Sequence, residues 1–230
     1  MQKNKAIWII PLCFFILAAA LNFAGKIWCE SLARVVKPAL LPLLSLTTLA
    51  WLLTHEAKPT KTTALLIAAQ LAGCAGDTFL LGNAFAMTAG GILSFLTGHV
   101  CYITIFGSRS FPGLKKWVWP VAAVSIVVLV ACLLLILGPH GVMAGAMAVY
   151  GTTLLTLVFA ALCGLVRFPE QGGAWILLFL GAVIFTFSDI LVATEILHIP
   201  PFPLRGFVVM FTYLGAQSLL AIGTIRLSKC

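Results

Sequence analysis

An all-α, polytopic membrane bundle of about eight transmembrane helices is the fold class the sequence predicts, on three observations. Of 230 residues, 62% are hydrophobic and 9% charged, with a mean hydropathy of +1.13, more apolar side chain than a soluble core can hide. The apolar residues fall in runs of roughly 20, the length that crosses about 30 Å of hydrocarbon. Short breaks rich in charge, glycine or proline separate the runs. Eight spans use about 160 residues, leaving a single integral-membrane domain over 1–230 and no room for a separate soluble one.

The first span is expected near 6–24, behind Lys3 and Lys5. Ala18-Ala19-Ala20 resembles a signal-peptide cleavage site, but the apolar run continues through Phe23 and Ala24, which suits a retained span; Asn22, near its outer end at the level of Lys37, is a candidate supporting site residue. The second, 38–54, opens at Lys37, with Pro38 and Pro42 shaping its entrance. The third, 62–82, contains Asp77. The fourth, 85–106, carries Gly90, Ser94 and Gly98 at four-residue spacing, a small-residue row that lets helix backbones approach closely. The fifth, 117–137, follows Lys115 and Lys116, and the sixth, 141–166, begins with a similar pair, Gly141 and Gly145. The seventh, 174–194, contains Ser188 and Asp189, and the eighth, 206–226, lies between Arg205 and Arg226.

The formal charge of +8 does not point to nucleic acid, because the basic residues sit at span ends and not in a patch with interleaved aromatics. Of fourteen Lys and Arg, the face holding the termini takes all but Lys26, Arg34, Lys37 and Arg205. The positive-inside rule therefore places both termini in the cytoplasm, and with no eukaryotic sorting signal a bacterial inner membrane is expected. Seven cysteines without CxxC spacing read as small core residues. His55, His140 and His198 fall in connections and read as solvated.

Ionisable residues deep in a span are costly and normally face a bundle interior with a partner. Asp77 and Asp189 are the leading candidates. Each is about sixteenth in a span running the same way, so they are expected at matched depth, roughly 7 Å from the outer end. Either they meet across the bundle, or each is a structural hydrogen-bond partner. Lys37 lies at the same level, as a cation favouring an ionised carboxylate or as a snorkelling residue. His99 and Tyr102, three apart, share a helix face nearer the cytoplasmic side. His99 reads as a proton carrier or ligand, or as a buried histidine satisfied by a neighbour. There is no metal-ligand pattern, GxSxG elbow, P-loop or dinucleotide fingerprint, and neither metal nor cofactor is expected.

Four stretches carry a family resemblance: VVKPALLPLL (35–44), AQLAGCAGDTFLLG (69–82), GGILSFLTGHVCYITIFG (90–107) and FTFSDILVA (185–193). In order and spacing they resemble the YhhN membrane proteins, which include the lysoplasmalogenases. The resemblance implies hydrolysis of the vinyl ether bond of a lysoplasmalogen to a fatty aldehyde and a glycerophospho-head group, with a lysophospholipid as substrate and membrane lipid around it. It puts the acidic site residues on Asp77 and Asp189, with Lys37, His99, Tyr102 and Ser188 as polar neighbours. Vinyl ether cleavage needs a carboxylic acid and a carboxylate, as glycoside cleavage does. Asp77 is the slight favourite as acid, because Gly73, Cys74, Ala75 and Gly76 solvate it little. Tyr102 or His99 would orient water or an aspartate, while Lys37 and Arg205 would meet a lipid phosphate. The competing classes are a small proton-coupled transporter or lipid-handling protein and a structural factor whose aspartates only pair with Lys37.

Overall fold

The computed structural model describes residues 6–55, 60–82 and 84–229, so the expectations at Lys3, Lys5 and Lys58 lie outside the described residues. The described chain is helical and contains no strand. Eight long helices follow one another: α1 (Ile9–Trp28), α2 (Glu30–Thr54), α3 (Lys61–Phe79), α4 (Phe85–Ser110), α5 (Val118–Leu137), α6 (Val142–Arg167), α7 (Gly172–Ile196) and α8 (Arg205–Lys229). Seven are long and apolar enough to cross a membrane. The eighth, α3, carries Lys61, Gln70 and Asp77 within 19 residues, so its composition is too polar for that group. Two of these three face inward: Gln70 and Asp77 are buried, beside Leu66, Ala69 and Gly73, while Lys61 is exposed at the helix start.

The second span starts earlier than its charges and prolines suggest. Residues 30–36 are already helical, and Lys37–Ala39 forms a 3-10 turn leading into the helix over 40–54. Pro38 falls at the first positions of that turn, where a missing N–H costs no hydrogen bond. A single extended residue, Cys29, joins α1 to α2. The tight reversal works because Gly25 lies against the Ala33 backbone, where a Cβ would sit 2.5 Å from the Ala33 nitrogen.

Seven helices form a closed ring in the order α1, α2, α3, α4, α6, α7, α8, with α3 also reaching α8 across the middle. α5 packs on α6, outside the ring. Burial follows this order: 56% of the apolar window of α8 is buried, against 11% for α5. The centre is filled by Trp175, Tyr102, Phe106 and Phe185, each under 2% exposed. Lipid supplies no hydrophobic drive between helices, so close contact rests on small residues. Gly164 is the clearest case, since a Cβ there would enter the Trp175 ring. The row through Gly90 and Gly98 packs α4 on α3, with Gly98 facing the Ala69 carbonyl. Gly141 and Gly145 are different: a Cβ on either meets nothing within 4 Å, and they make no helix interface.

The basic end is tied by arginines that donate to late helix carbonyls. Arg109 reaches Leu227, and Arg167 reaches Ser110 at 2.5 Å. His55, His140 and His198 are exposed, as expected for connections. The cysteines are not uniformly core residues: of those described only Cys163 is buried, while Cys13, Cys29 and Cys132 face outward, where a thiol is apolar enough for lipid.

Candidate functional site

Near the end of the bundle opposite the arginine ties, α2, α3, α4, α6, α7 and α8, with the last turns of α5, line a cavity of about 80 Å³ that opens outward. Its polar side chains are Lys37, Asp77, Tyr150, Ser188, Asp189 and Tyr213, and the remaining lining is apolar. Asp77 stands two residues before the end of α3 and Asp189 seven before the end of α7, about 3 Å and 10 Å of helix. The expected matched depth therefore fails as a measure from helix ends, because α7 runs further past the site than α3. Both carboxylates line the one cavity nonetheless.

Each aspartate has its own donors. Asp77 is buried, with the Lys37 ammonium 3.2 Å from Oδ1 and the Tyr213 hydroxyl donating to Oδ2 at 2.9 Å. Lys37 makes no ion pair with Asp189, so it serves one carboxylate and not both. Asp189 accepts at Oδ2 from the Tyr150 hydroxyl at 2.6 Å, with His99 Nε2 at 3.1 Å from the same oxygen. His99 Nε2 and the Tyr150 hydroxyl are 3.0 Å apart, closing a triangle. His99 is 1% exposed, and its Nδ1 has no hydrogen-bond partner among the described residues. Phe185 stands edge-on to both His99 and Tyr213, with centroids 4.7 and 5.6 Å away. It joins the two halves and closes the floor beneath them.

The other expected site residues divide. Ser188 lines the cavity and donates to the Val209 carbonyl at 3.1 Å, fixing α7 against α8. Tyr102 shares a helix with His99 but lies deeper, donating to Gln217 at 2.7 Å, so it is not part of the lining. Asn22 stands apart as well: its amide donates to the Ala33 carbonyl at 2.9 Å and holds the α1–α2 reversal. Arg205 donates to the Ile199 carbonyl at 3.0 Å. With Lys26, Arg34, Lys37, Glu30 and Glu195 it lines a polar vestibule that adjoins the cavity. His99 is not set apart toward the basic end but reaches Asp189 directly.

Tyr150 and Tyr213 complete the polar set and were not singled out in the sequence. A signal was present. The chain has three tyrosines, all within spans, where a hydroxyl in hydrocarbon must find a partner. Among the described residues no three His, Cys, Asp or Glu are grouped as metal ligands.

Comparison with characterised proteins and with solved structures found no match. A family model, by contrast, matches residues 32–224, described as the YhhN family. That match runs from α2 into α8 and takes in Lys37, Asp77, His99 and Asp189 together, and the chain belongs to the YhhN family.

Proposed function

We propose that the protein is a lysoplasmalogenase-like hydrolase that cleaves the vinyl ether bond of a one-chain ether phospholipid. The observation that carries this reading is the pair of aspartates on one apolar cavity, each with a separate donor set. In the reaction a proton adds to the β-carbon of the vinyl ether, leaving an oxocarbenium ion. Water adds at the cationic carbon and gives up a proton, and the resulting hemiacetal collapses to an aldehyde and the glycerol hydroxyl. One water is consumed and the transferred proton is returned.

Two carboxyl groups in different surroundings can divide such work. Lys37 and Tyr213 donate to both oxygens of Asp77, which suits a carboxylate facing a cation or taking a proton from water. At Asp189 both neighbours act on Oδ2, leaving Oδ1 to carry a transferable proton toward the substrate. This assigns Asp189 as acid and Asp77 as carboxylate, the reverse of the preference based on local sequence. The vestibule cations, Arg205 and Arg34 among them, suit a phosphate-bearing head group. The Lys/Arg bias supports cytoplasmic termini and a bacterial inner membrane.

A transport role calls for access from both ends, and the floor under the carboxylates is filled by Phe185, Tyr102 and Phe106. The test uses purified protein in detergent with alkenyl lysolipid in D2O, trapping released aldehyde by rapid reduction. One deuterium at the carbon next to the former carbonyl is expected, with Asp77→Asn and Asp189→Asn each reducing turnover at least 100-fold, about the contribution of one acid or base. Near-normal turnover by either variant, or equal cleavage of ester lysophosphatidylcholine, defeats the two-carboxylate mechanism.

A further inference from the structure

The cavity has an arm that carboxylate chemistry leaves unused. Beside Tyr150 it is walled by Leu133, Leu134 and Leu137 of α5 and by Ala146, Met147 and Gly151 of α6, with no polar side chain among these six. α5 lies outside the ring, yet its last turns form part of the cavity wall. The space therefore passes beyond the ring alongside α6.

The two ends of α5 are held differently. At the basic end Trp119 packs on the rings of Phe111 and Phe159, with centroids 5.2 and 6.3 Å away. At the site end Leu135, Ile136 and Val142 are at least 80% exposed. A Cβ at Gly138, Gly141 or Gly145 would meet nothing within 4 Å. The helix is fixed by aromatics at one end and bounded by lipid-facing residues at the other.

We propose that this arm is a hydrocarbon-chain subsite, taking the single aliphatic chain of the substrate lipid from the carboxylates, between α5 and α6, into the surrounding membrane. The proposal rests on the reading of the cavity as a lysolipid site. Its support is that this wall is wholly apolar and leads from the carboxylates to the lipid-facing end of α5. From Tyr150 down to Leu154, the last α6 residue in the lining, is about 6 Å of helix, and the core closes beneath at Leu157. A chain filling one leaflet spans about 15 Å, half the hydrocarbon thickness. The vestibule above is lined by Lys26, Arg34, Lys37 and Arg205, and methylenes gain little there. The greater part of the chain must leave sideways, and α5 supplies the apolar wall. Leu134 then sets which chains fit, while Leu135, its outward-facing neighbour, does not.

The test uses full-length protein in lipid nanodiscs and a saturated 1-alkyl ether lysophosphatidylcholine with a mid-chain diazirine, a probe with no vinyl ether to cleave. After irradiation, labelled residues are mapped by peptide mass. Labelling within 133–151 is expected to fall at least fivefold under excess unlabelled alkyl lysolipid. Leu134→Trp is expected to remove that competed labelling to the same degree, and Leu135→Trp to leave it unchanged. Competed labelling centred on other helices, only uncompeted labelling, or equal effects of the two tryptophans overturns the subsite. Because the probe is not a substrate, labelling at α5 stands even if the protein cleaves no vinyl ether. Cleavage with labelling elsewhere removes the subsite and leaves the hydrolase reading intact.

Discussion

Replacing Lys37 by Met tests the electrostatics of the site most directly. The Lys37 side chain is 16% exposed and that of Asp77 is 4% exposed, with the charges 3.2 Å apart. Removing one partner of such a pair leaves a buried charge uncompensated, which costs about 3–5 kcal/mol. One feature holds the loss toward the low end: Tyr213 still donates to Oδ2, a hydrogen bond to a charged group worth about 1.5–3 kcal/mol. A loss of about 3 kcal/mol is therefore expected for Lys37→Met. Asp77→Asn removes the charge itself, so adding Lys37→Met to it should cost less than about 1 kcal/mol, a coupling of about 2 kcal/mol. Reversible unfolding in mixed micelles, for the two single variants and the double variant, measures this cycle. A Lys37→Met loss below about 0.5 kcal/mol with additive variants refutes the ion pair as a structural element, and with it the assignment of Asp77 as a permanent carboxylate.

Tyr150→Phe and His99→Gln each remove a group acting on Asp189 Oδ2, and each should lower kcat by about 10- to 100-fold, with the double variant close to the worse single one because both act on one oxygen. Multiplicative losses in single-turnover aldehyde release would show that they act separately. Asn22→Ala should lower stability by about 1–2 kcal/mol through loss of the buried bond to Ala33 while leaving kcat within twofold, and a kcat loss beyond tenfold would return Asn22 to the site. Gly164→Ala drives a methyl into Trp175 and should cost about 1–3 kcal/mol, read as a lower Tm in detergent. An unchanged Tm would mean that α6 and α7 can separate there freely.

The helical membrane fold was legible in the sequence because lipid permits few alternatives. A backbone in hydrocarbon must satisfy its own hydrogen bonds, so a run of about 20 apolar residues is necessarily a helix. The breaks between runs located all eight long helices, and the one large error in a boundary was at the start of α2, where Pro38 fits into a 3-10 turn. Asp77, Asp189 and Lys37 stood out for the same reason: charges are expensive in lipid, and only an inward position makes them tolerable.

Pairing was another matter. Whether Lys37 serves one carboxylate or two depends on which faces α2, α3 and α7 turn inward, and no spacing within one helix encodes that. Tyr150 and Tyr213 lie 51 residues after His99 and 136 residues after Asp77 respectively, and each finds its aspartate only because α6 and α8 close the ring. Asn22 and Tyr102 look like site residues in sequence, yet the structure uses one to hold a reversal and the other to anchor Gln217 in the core. Position outside the ring was equally invisible for α5, since an apolar helix reads the same whether it faces protein or lipid. The sequence by itself determined how many helices form and which charges must turn inward, because solvation fixes both locally. Only the tertiary structure decided which charge meets which donor, because that depends on how the separate helices rotate and pack against one another.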